Sequence, residues 1–108
     1  GASRALARAA GHFAEAQSLL DDLAEIDWQC CAADGGLRLA AVRQLSAARL
    51  KNVLRWRLRL LGWRVPATPR LNEFVRQLQS AAPDRHPALR LPEGEMRVKS
   101  GCLTWTGC

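Results

Sequence analysis

Apolar residues recur every three to four positions along the first third of the chain, which is the spacing of one face of an α-helix. We predict one long helix over residues 4–33. Its predicted buried stripe consists of Leu6, Phe13, Ala16, Leu20, Leu23 and Asp27, widened by Leu19, Ile26 and Cys30. The stretch Asp34-Gly35-Gly36 ends this helix, because glycine adopts the left-handed backbone that a helix end needs.

Two shorter helices are predicted in the middle of the chain. Ser46 is a good N-cap and Gly62 a good terminator for a helix over residues 47–61. A threonine followed by Pro69 begins the next helix, which we expect to run to about residue 82 and to end at Pro83. The expected core residues are Leu50, Val53, Leu54, Leu58 and Leu61 in the first helix and Leu71, Phe74, Val75 and Leu78 in the second.

The remaining segments are short. Residues 37–39 alternate like a strand stub and residues 40–45 favour a brief helix. Near the C-terminus three pieces have the period of β-strands, at residues 88–91, 95–99 and 102–106, and Ser100-Gly101 suits a hairpin turn. The predicted fold class is mainly α (α+β), with a long N-terminal helix, two further helices and a small C-terminal β-hairpin element. Residues 1–108 form a single domain, in which residues 1–33 are a connecting helix.

Charge is distributed unevenly. The chain carries 16 basic and 10 acidic residues, a net charge of +6. Residues 41–80 contain nine basic residues and one acid, which is +8 in that block, whereas residues 1–40 contain three basic and six acidic residues. Such a block is typical of a surface that binds a polyanion. The alternative is a basic face that serves only solubility.

On a helical wheel of residues 47–61, the residues Lys51, Asn52, Arg55 and Arg59 lie opposite the apolar stripe, and no acid accompanies them. Arg57 falls in the middle of that stripe. Either its stem packs in the core while its head reaches an acid or a carbonyl, or the helix phase drifts. The tryptophans at positions 28, 56, 63 and 105 are interpreted as packing residues, with base stacking as the alternative.

The sequence contains no recognisable set of catalytic residues. The sequence has no glycine-rich phosphate loop and no serine–histidine–acid pattern. Asp21 and Glu25 share a helix face but lack a third metal ligand, and Asp84 with His86 specifies no reaction. We therefore expect no catalytic residue, no metal site and no enzyme activity in this chain.

The four cysteines fit neither a disulfide framework nor a zinc site, and no apolar run is long enough to span a membrane. We therefore expect a cytoplasmic protein.

The order of several short motifs resembles a known family. SLLDDL at residues 18–23, LSAAR at 45–49 and NVLR at 52–55 are followed by Pro66 and the helix predicted from residue 69. The closing segment then matches at Asp84, Pro87, Leu89-Arg90-Leu91, Glu95, Arg97 and Leu103. Over about residues 4–106 the chain resembles the middle, substrate-binding domain of bacterial tRNA(Ile)-lysidine synthetases. It departs at Trp56-Arg57-Leu58, where the family often has an aromatic residue, Trp and Leu, and at Arg97-Val98-Lys99, where it often has Arg-Arg-Tyr.

The resemblance implies a function for the parent enzyme. Family members use ATP to activate the wobble cytidine of the isoleucine tRNA with a CAU anticodon, and then attach lysine. Their catalysis belongs to an N-terminal domain with an SGGxDS loop, which is absent from these 108 residues. ATP, Mg and lysine would therefore bind the catalytic domain, and this fragment would need no cofactor. Its expected partner is tRNA, held by backbone and shape.

Ten residues are predicted to contact RNA. Arg49, Asn52, Arg55 and Arg97 match family motifs, and Lys51, Arg59, Arg64, Arg70, Arg76 and Lys99 are included for their charge and position.

Two alternatives to RNA binding stay open. The domain could be a structural inter-domain module with little RNA affinity, docking through the apolar stripe of residues 4–16. A DNA-binding helix-turn-helix is the other, although the connection over residues 62–68 is longer than the usual turn, so no DNA is expected.

Overall fold

The long N-terminal helix is present and ends where the chain first pairs as a strand. The computed structural model describes residues 2–80, 82 and 85–108, with side chains from residue 8 onward. Helix α1 runs over Ala2–Cys31, and strands β1 (Ala32–Ala33) and β2 (Gly36–Arg38) form a tight antiparallel pair directly after it. Our predicted end at residue 33 was therefore two residues too late, because those two alanines pair with β2. The left-handed backbone predicted for a glycine here occurs at Gly35 and also at Asp34, but these residues form the turn between β1 and β2 and not the helix end.

Helices α2 (Leu39–Val42), α3 (Ala47–Leu61) and α4 (Thr68–Ser80) follow. The bounds of α3 are confirmed, and its caps show why. The Ser46 side chain accepts a hydrogen bond from the Arg49 backbone N–H at 3.1 Å. At the other end Gly62 has a φ of 75°, and the backbone N–H of Trp63 donates to the Leu58 carbonyl at 2.9 Å. This arrangement is a Schellman motif. Pro83, predicted to end α4, lies outside the described residues.

The C-terminal strands β3 (Ala88–Leu91), β4 (Gly94–Lys99) and β5 (Cys102–Gly107) confirm the predicted β-element. All pairings are antiparallel, and the sheet order is β1-β2-β5-β4-β3, so the sheet has five strands. It is larger than predicted because β2 adds to β5 through the pair Leu37↔Leu103. Ser100 and Gly101 have φ values of 53° and 76°, which fits the predicted two-residue hairpin turn.

One apolar core joins the helices to one face of the sheet. The predicted core residues of α3 and α4 are buried, except Leu61, which is 37% exposed. From the sheet the same cluster receives Leu37, Leu89, Leu91, Met96, Val98 and Leu103. The tryptophans pack against its rim, as their interpretation as packing residues predicts.

The predicted buried stripe of α1 is largely wrong. Of its described members only Asp27 is buried and Leu23 half-buried, whereas Phe13 is 74%, Leu20 44% and Ile26 57% exposed, and Cys30 is exposed too. The buried face at the C-terminal end of α1 consists instead of Ala24, Asp27 and Cys31. Side chains before residue 8, including Leu6, lie outside the description. A 30-residue helix is about 45 Å long, and the 15 residues of α3 cover about half of that length. The first half of α1 therefore projects, consistent with extents of 58 × 28 × 23 Å for the domain.

Candidate nucleic-acid interface

Helix α3 carries five of the ten predicted RNA contacts, and its neighbour α1 engages three of them. The most buried contact is the ion pair between Arg49 and Asp27. The Arg49 Nε donates to Oδ2 at 3.1 Å, and its Nη2 donates to Oδ1. Asp27 is 1% exposed, so the guanidinium neutralises a carboxylate that would otherwise be buried without a partner. The hydrogen bonds from Arg49 to Asp27 raise the pKa of Arg49.

Asn52 and Arg59 form the other two links between α3 and α1. The Asn52 side-chain amide donates to the Leu20 carbonyl at 2.8 Å. The Arg59 guanidinium donates to the Asp21 carboxylate at 2.9 Å, and both of these side chains are more than 40% exposed. The helical wheel placed Asn52 and Arg59 on the exposed face of α3, and Arg49 was included for its family motif, but no pattern indicated that α1 lies against these residues. They stay predictions as RNA contacts, and each already has a partner within the chain.

Lys51 and Arg55 are different. They lie one helical turn apart on α3, where side chains four residues apart are neighbours. Both are half-buried, and within residues 2–80, 82 and 85–108 neither has a hydrogen bond or an ion pair. Two adjacent cations without an acid repel each other by a few tenths of a kcal/mol. An external anion would remove that repulsion.

The predicted contacts on α4 have partners nearby. The Arg70 guanidinium donates to the Arg90 carbonyl and so ties α4 to strand β3. Arg76 makes two hydrogen bonds, at 2.9 and 2.6 Å, with the carboxylate of Glu73 one turn earlier. These hydrogen bonds, together with one from Gln77, lower the pKa of Glu73 from its ordinary value of 4.5 to about 2.

The last three predicted contacts lie near the sheet. Arg97 is paired with Glu95 two residues earlier, at 2.7 Å. Lys99 is exposed, and its side chain has no partner in the described portion of the chain. The Arg64 side chain is likewise exposed and unpaired there, although its backbone N–H donates to the Glu93 carboxylate at 3.0 Å. The structure thus places the ten predicted residues on several surfaces and not in one cluster.

Arg57 occupies the apolar side of α3, as the wheel predicts, so the helix phase does not drift. Its guanidinium carbon lies 4.4 Å from the centroid of the Trp28 ring, in a cation–π contact. Trp28 also contacts Trp56 and Trp105, with ring centroids 6.1 and 5.5 Å apart. The expectation that the Arg57 head reaches an acid or a carbonyl is wrong for its Nε, which is buried without a hydrogen-bond partner in the described chain. The cluster joins residues of α1, α3 and β5 that are far apart in the sequence, so no local sequence pattern indicates it.

The described residues that were considered for chemistry lie at the surface. Asp21 is partly exposed and pairs with Arg59, and Glu25 is exposed. Asp84 lies outside the described residues, while His86 is exposed and lines an open cleft of about 570 Å³ with Arg76 and Arg85. Among the described residues, no group of three or more His, Cys, Asp or Glu side chains could hold a metal ion. Across the same part of the chain, no helix has the length and apolar character to cross a membrane.

The fold is that of a small α+β domain, and Lys51, Arg55, Arg64 and Lys99 are basic side chains without a partner among the described residues. Comparison with known proteins gives the family. Residues 37–104 match the TilS substrate binding domain family. This chain therefore belongs to the family of TilS substrate-binding domains.

Individual relatives support the same family assignment. A tRNA(Ile)-lysidine synthase of Aromatoleum aromaticum is 48% identical over 105 residues, which cover 97% of this chain and 23% of the relative. The synthases of Alkalilimnicola ehrlichii and an Azoarcus species are 42% and 44% identical, covering 89% and 84% of this chain and 22% and 19% of each relative. The chain thus spans about a fifth to a quarter of the length of the curated relatives it matches. The predicted resemblance is confirmed.

Proposed function

We propose that this chain is the tRNA-binding domain of a tRNA(Ile)-lysidine synthase. It would hold the isoleucine tRNA with the CAU anticodon while a catalytic domain outside this chain attaches lysine to the wobble cytidine. ATP, Mg and lysine would bind that other domain, and this one would take no part in bond making. The reaction would take place in the cytoplasm. Family membership supports the parent activity.

The observation that carries the proposal is that Lys51 and Arg55, neighbours on α3, have no partner among the described residues. A solvated helix face ordinarily mixes acids with bases, and the 15 residues of α3 contain no acid. Most cations elsewhere on the predicted interface have an internal partner, so these two are available to phosphates. Phosphate contacts of this kind position a protein on RNA and carry no base specificity.

The test measures binding of the 108-residue chain to labelled isoleucine tRNA by fluorescence anisotropy. Lys51→Gln with Arg55→Gln removes two cations from α3. A matched control, Arg8→Gln with Arg85→Gln, removes two exposed cations that lie elsewhere. The proposal predicts weaker binding for the α3 variant only, and a slope of log affinity against log salt that is less steep by about 1 per cation removed. Equal binding by the two variants would show that α3 is not the contact.

A second function, a structural inter-domain module, is favoured by exposed apolar side chains of α1. Phe13, in the projecting first half, is 74% exposed, and Leu19 and Ile26, further along the helix, are 63% and 57% exposed. Large apolar side chains on a projecting helix are typical of a surface that another domain covers. The substitution Phe13→Ser in the full-length synthase tests this role. It should reduce lysidine formation while leaving tRNA binding by the isolated 108-residue chain unchanged, whereas normal lysidine formation would rule out a docking role for Phe13.

A further inference from the structure

The outer face of the sheet, which points away from the helices, carries basic side chains. Strand β4 alternates strictly along its length. Met96 and Val98 are buried against the core, whereas Arg97 and Lys99 are exposed on the opposite face. This alternation follows from the two-residue period of a strand and assigns both cations to the outer face.

The antiparallel register brings two further arginines to the same face. Directly paired residues share a face of the sheet. Lys99 pairs with Cys102, which in turn pairs with Arg38 on β2. On the other side of β4, Arg90 of β3 pairs with Glu95. Four cations from three strands therefore lie on the outer face. Two of these cations, Arg38 and Arg90, were not among the predicted RNA contacts.

Positive charge dominates this face. Glu95 is the one acid that the described strand register places there, and it is paired with Arg97. Arg38 donates to the Cys30 carbonyl, a neutral partner, and so keeps its charge uncompensated. The side chains of Arg90 and Lys99 have no partner within the described chain. Counting four cations and one acid, the face carries a net charge of +3.

The composition of the outer face favours RNA over a protein partner. Protein interfaces are anchored by large apolar or aromatic side chains at their centre. Here the uncharged outward positions are small or polar, namely Ala33, Gly36, Ala88, Cys102, Thr104 and Thr106. A surface with cations and hydroxyls suits the wide, shallow minor groove of an RNA helix, which displays 2′-hydroxyls between its phosphates.

We propose that the outer face of the sheet is a second RNA-backbone contact, made by Arg38, Arg90, Arg97 and Lys99. The inference rests on the proposed function, because it assumes that tRNA is the ligand, and it adds a surface separate from α3. Lys51 and Arg55 lie on α3, whereas the four cations proposed here lie on strands β2, β3 and β4. The domain would therefore contact the tRNA backbone through two separate parts of its fold.

The experiment compares three double variants of the 108-residue chain, each with two cations fewer. The first is Arg90→Gln with Lys99→Gln on the sheet, the second is Lys51→Gln with Arg55→Gln on α3, and the third is the control at Arg8 and Arg85. Arg90 and Lys99 are exposed and have no side-chain partner in the described part of the chain, so their loss should leave the fold intact, which thermal unfolding checks. Binding of isoleucine tRNA is measured by anisotropy at several salt concentrations.

The sheet variant should lower the steepness of the salt dependence by about 2. Each phosphate contact contributes about 0.7 to 0.9 to the slope of log affinity against log salt. Losing two contacts therefore makes the affinity ratio of the intact chain to the sheet variant roughly 25- to 60-fold larger at 0.1 M salt than at 1 M salt. Combining the sheet and α3 variants should give the sum of their separate effects on the logarithm of affinity, because independent sites add.

The outcomes separate the two proposals. If the intact chain binds and the sheet variant matches the control, the sheet contact is refuted while the proposed function stands. Loss of binding in the sheet variant but not in the α3 variant would support the sheet and refute the α3 contact. If the intact chain binds no tRNA even at low salt, both are overturned.

Discussion

Gly94 is the position where the packing of the sheet can be tested most sharply. A β-carbon added at Gly94 would lie 2.3 Å from the Thr106 carbonyl oxygen, 2.5 Å from Cη2 of Trp63 and 3.0 Å from the α-carbon of Gly107. Two of these neighbours are backbone atoms of the paired strand β5, which cannot rotate away. An alanine therefore has to separate β4 from β5 and also displace the indole of Trp63, which covers the glycine.

The expected cost of Gly94→Ala follows from this crowding. Overpacking of a closely packed site destabilises a protein by about 1–3 kcal/mol. In a domain of this size, that range lowers the melting temperature by roughly 4–20 °C. Its cross-strand partner Gly107 supplies the matched control, because a β-carbon there meets no atom of the described residues within 4 Å. Gly107→Ala should change stability by less than about 0.5 kcal/mol.

Thermal unfolding followed by circular dichroism gives the melting temperature of each variant. Urea unfolding gives the difference in unfolding free energy, provided that the dependence on urea concentration is the same for both variants. The reasoning predicts a clear loss for Gly94→Ala and little change for Gly107→Ala. Equal melting temperatures for the two variants would refute it, since the close approach of β4 to β5 and Trp63 would then not exist.

Three further predictions concern charged and titratable side chains. Arg49→Ala should destabilise the chain more than Asp27→Asn, because the first leaves a buried carboxylate without its partner; equal losses in urea unfolding would contradict this. Because Arg76 lowers the pKa of Glu73 to about 2, this pair stabilises the fold fully above pH about 4.5 and loses its contribution as the pH falls towards 2. NMR titration of the Glu73 carboxyl should show this pKa and its return towards 4.5 in Arg76→Ala. Burial and the nearby Asp27 raise the pKa of Cys31, so iodoacetamide should label it last of the four cysteines, as peptide mass spectrometry would show.

Local signals predicted much of the fold. Helix α3 begins and ends at the predicted residues because Ser46 caps its first turn and Gly62 ends its last turn, and both effects depend only on neighbouring residues. The hairpin at Ser100 was predictable for the same reason. The pairing of β2 with β5 was not, because it joins residues more than 60 positions apart and depends on the finished core.

The candidate interface was only partly accessible to sequence analysis. A helical wheel identifies Lys51 and Arg55 as outward-facing, and they are unpaired in the described structure. The wheel places Asn52 and Arg59 beside them but carries no information about α1, which engages both. Arg38 required the register of the sheet before it could be assigned to a basic face.

The central claim is that this domain itself binds the tRNA backbone, and titration of the unmodified 108-residue chain tests it most directly. Anisotropy of labelled isoleucine tRNA should rise with protein concentration at low salt. The logarithm of affinity should fall linearly with the logarithm of salt concentration, with a slope of about −0.7 to −0.9 per phosphate contacted. Binding that is absent at low salt, or that does not change with salt, would contradict the account.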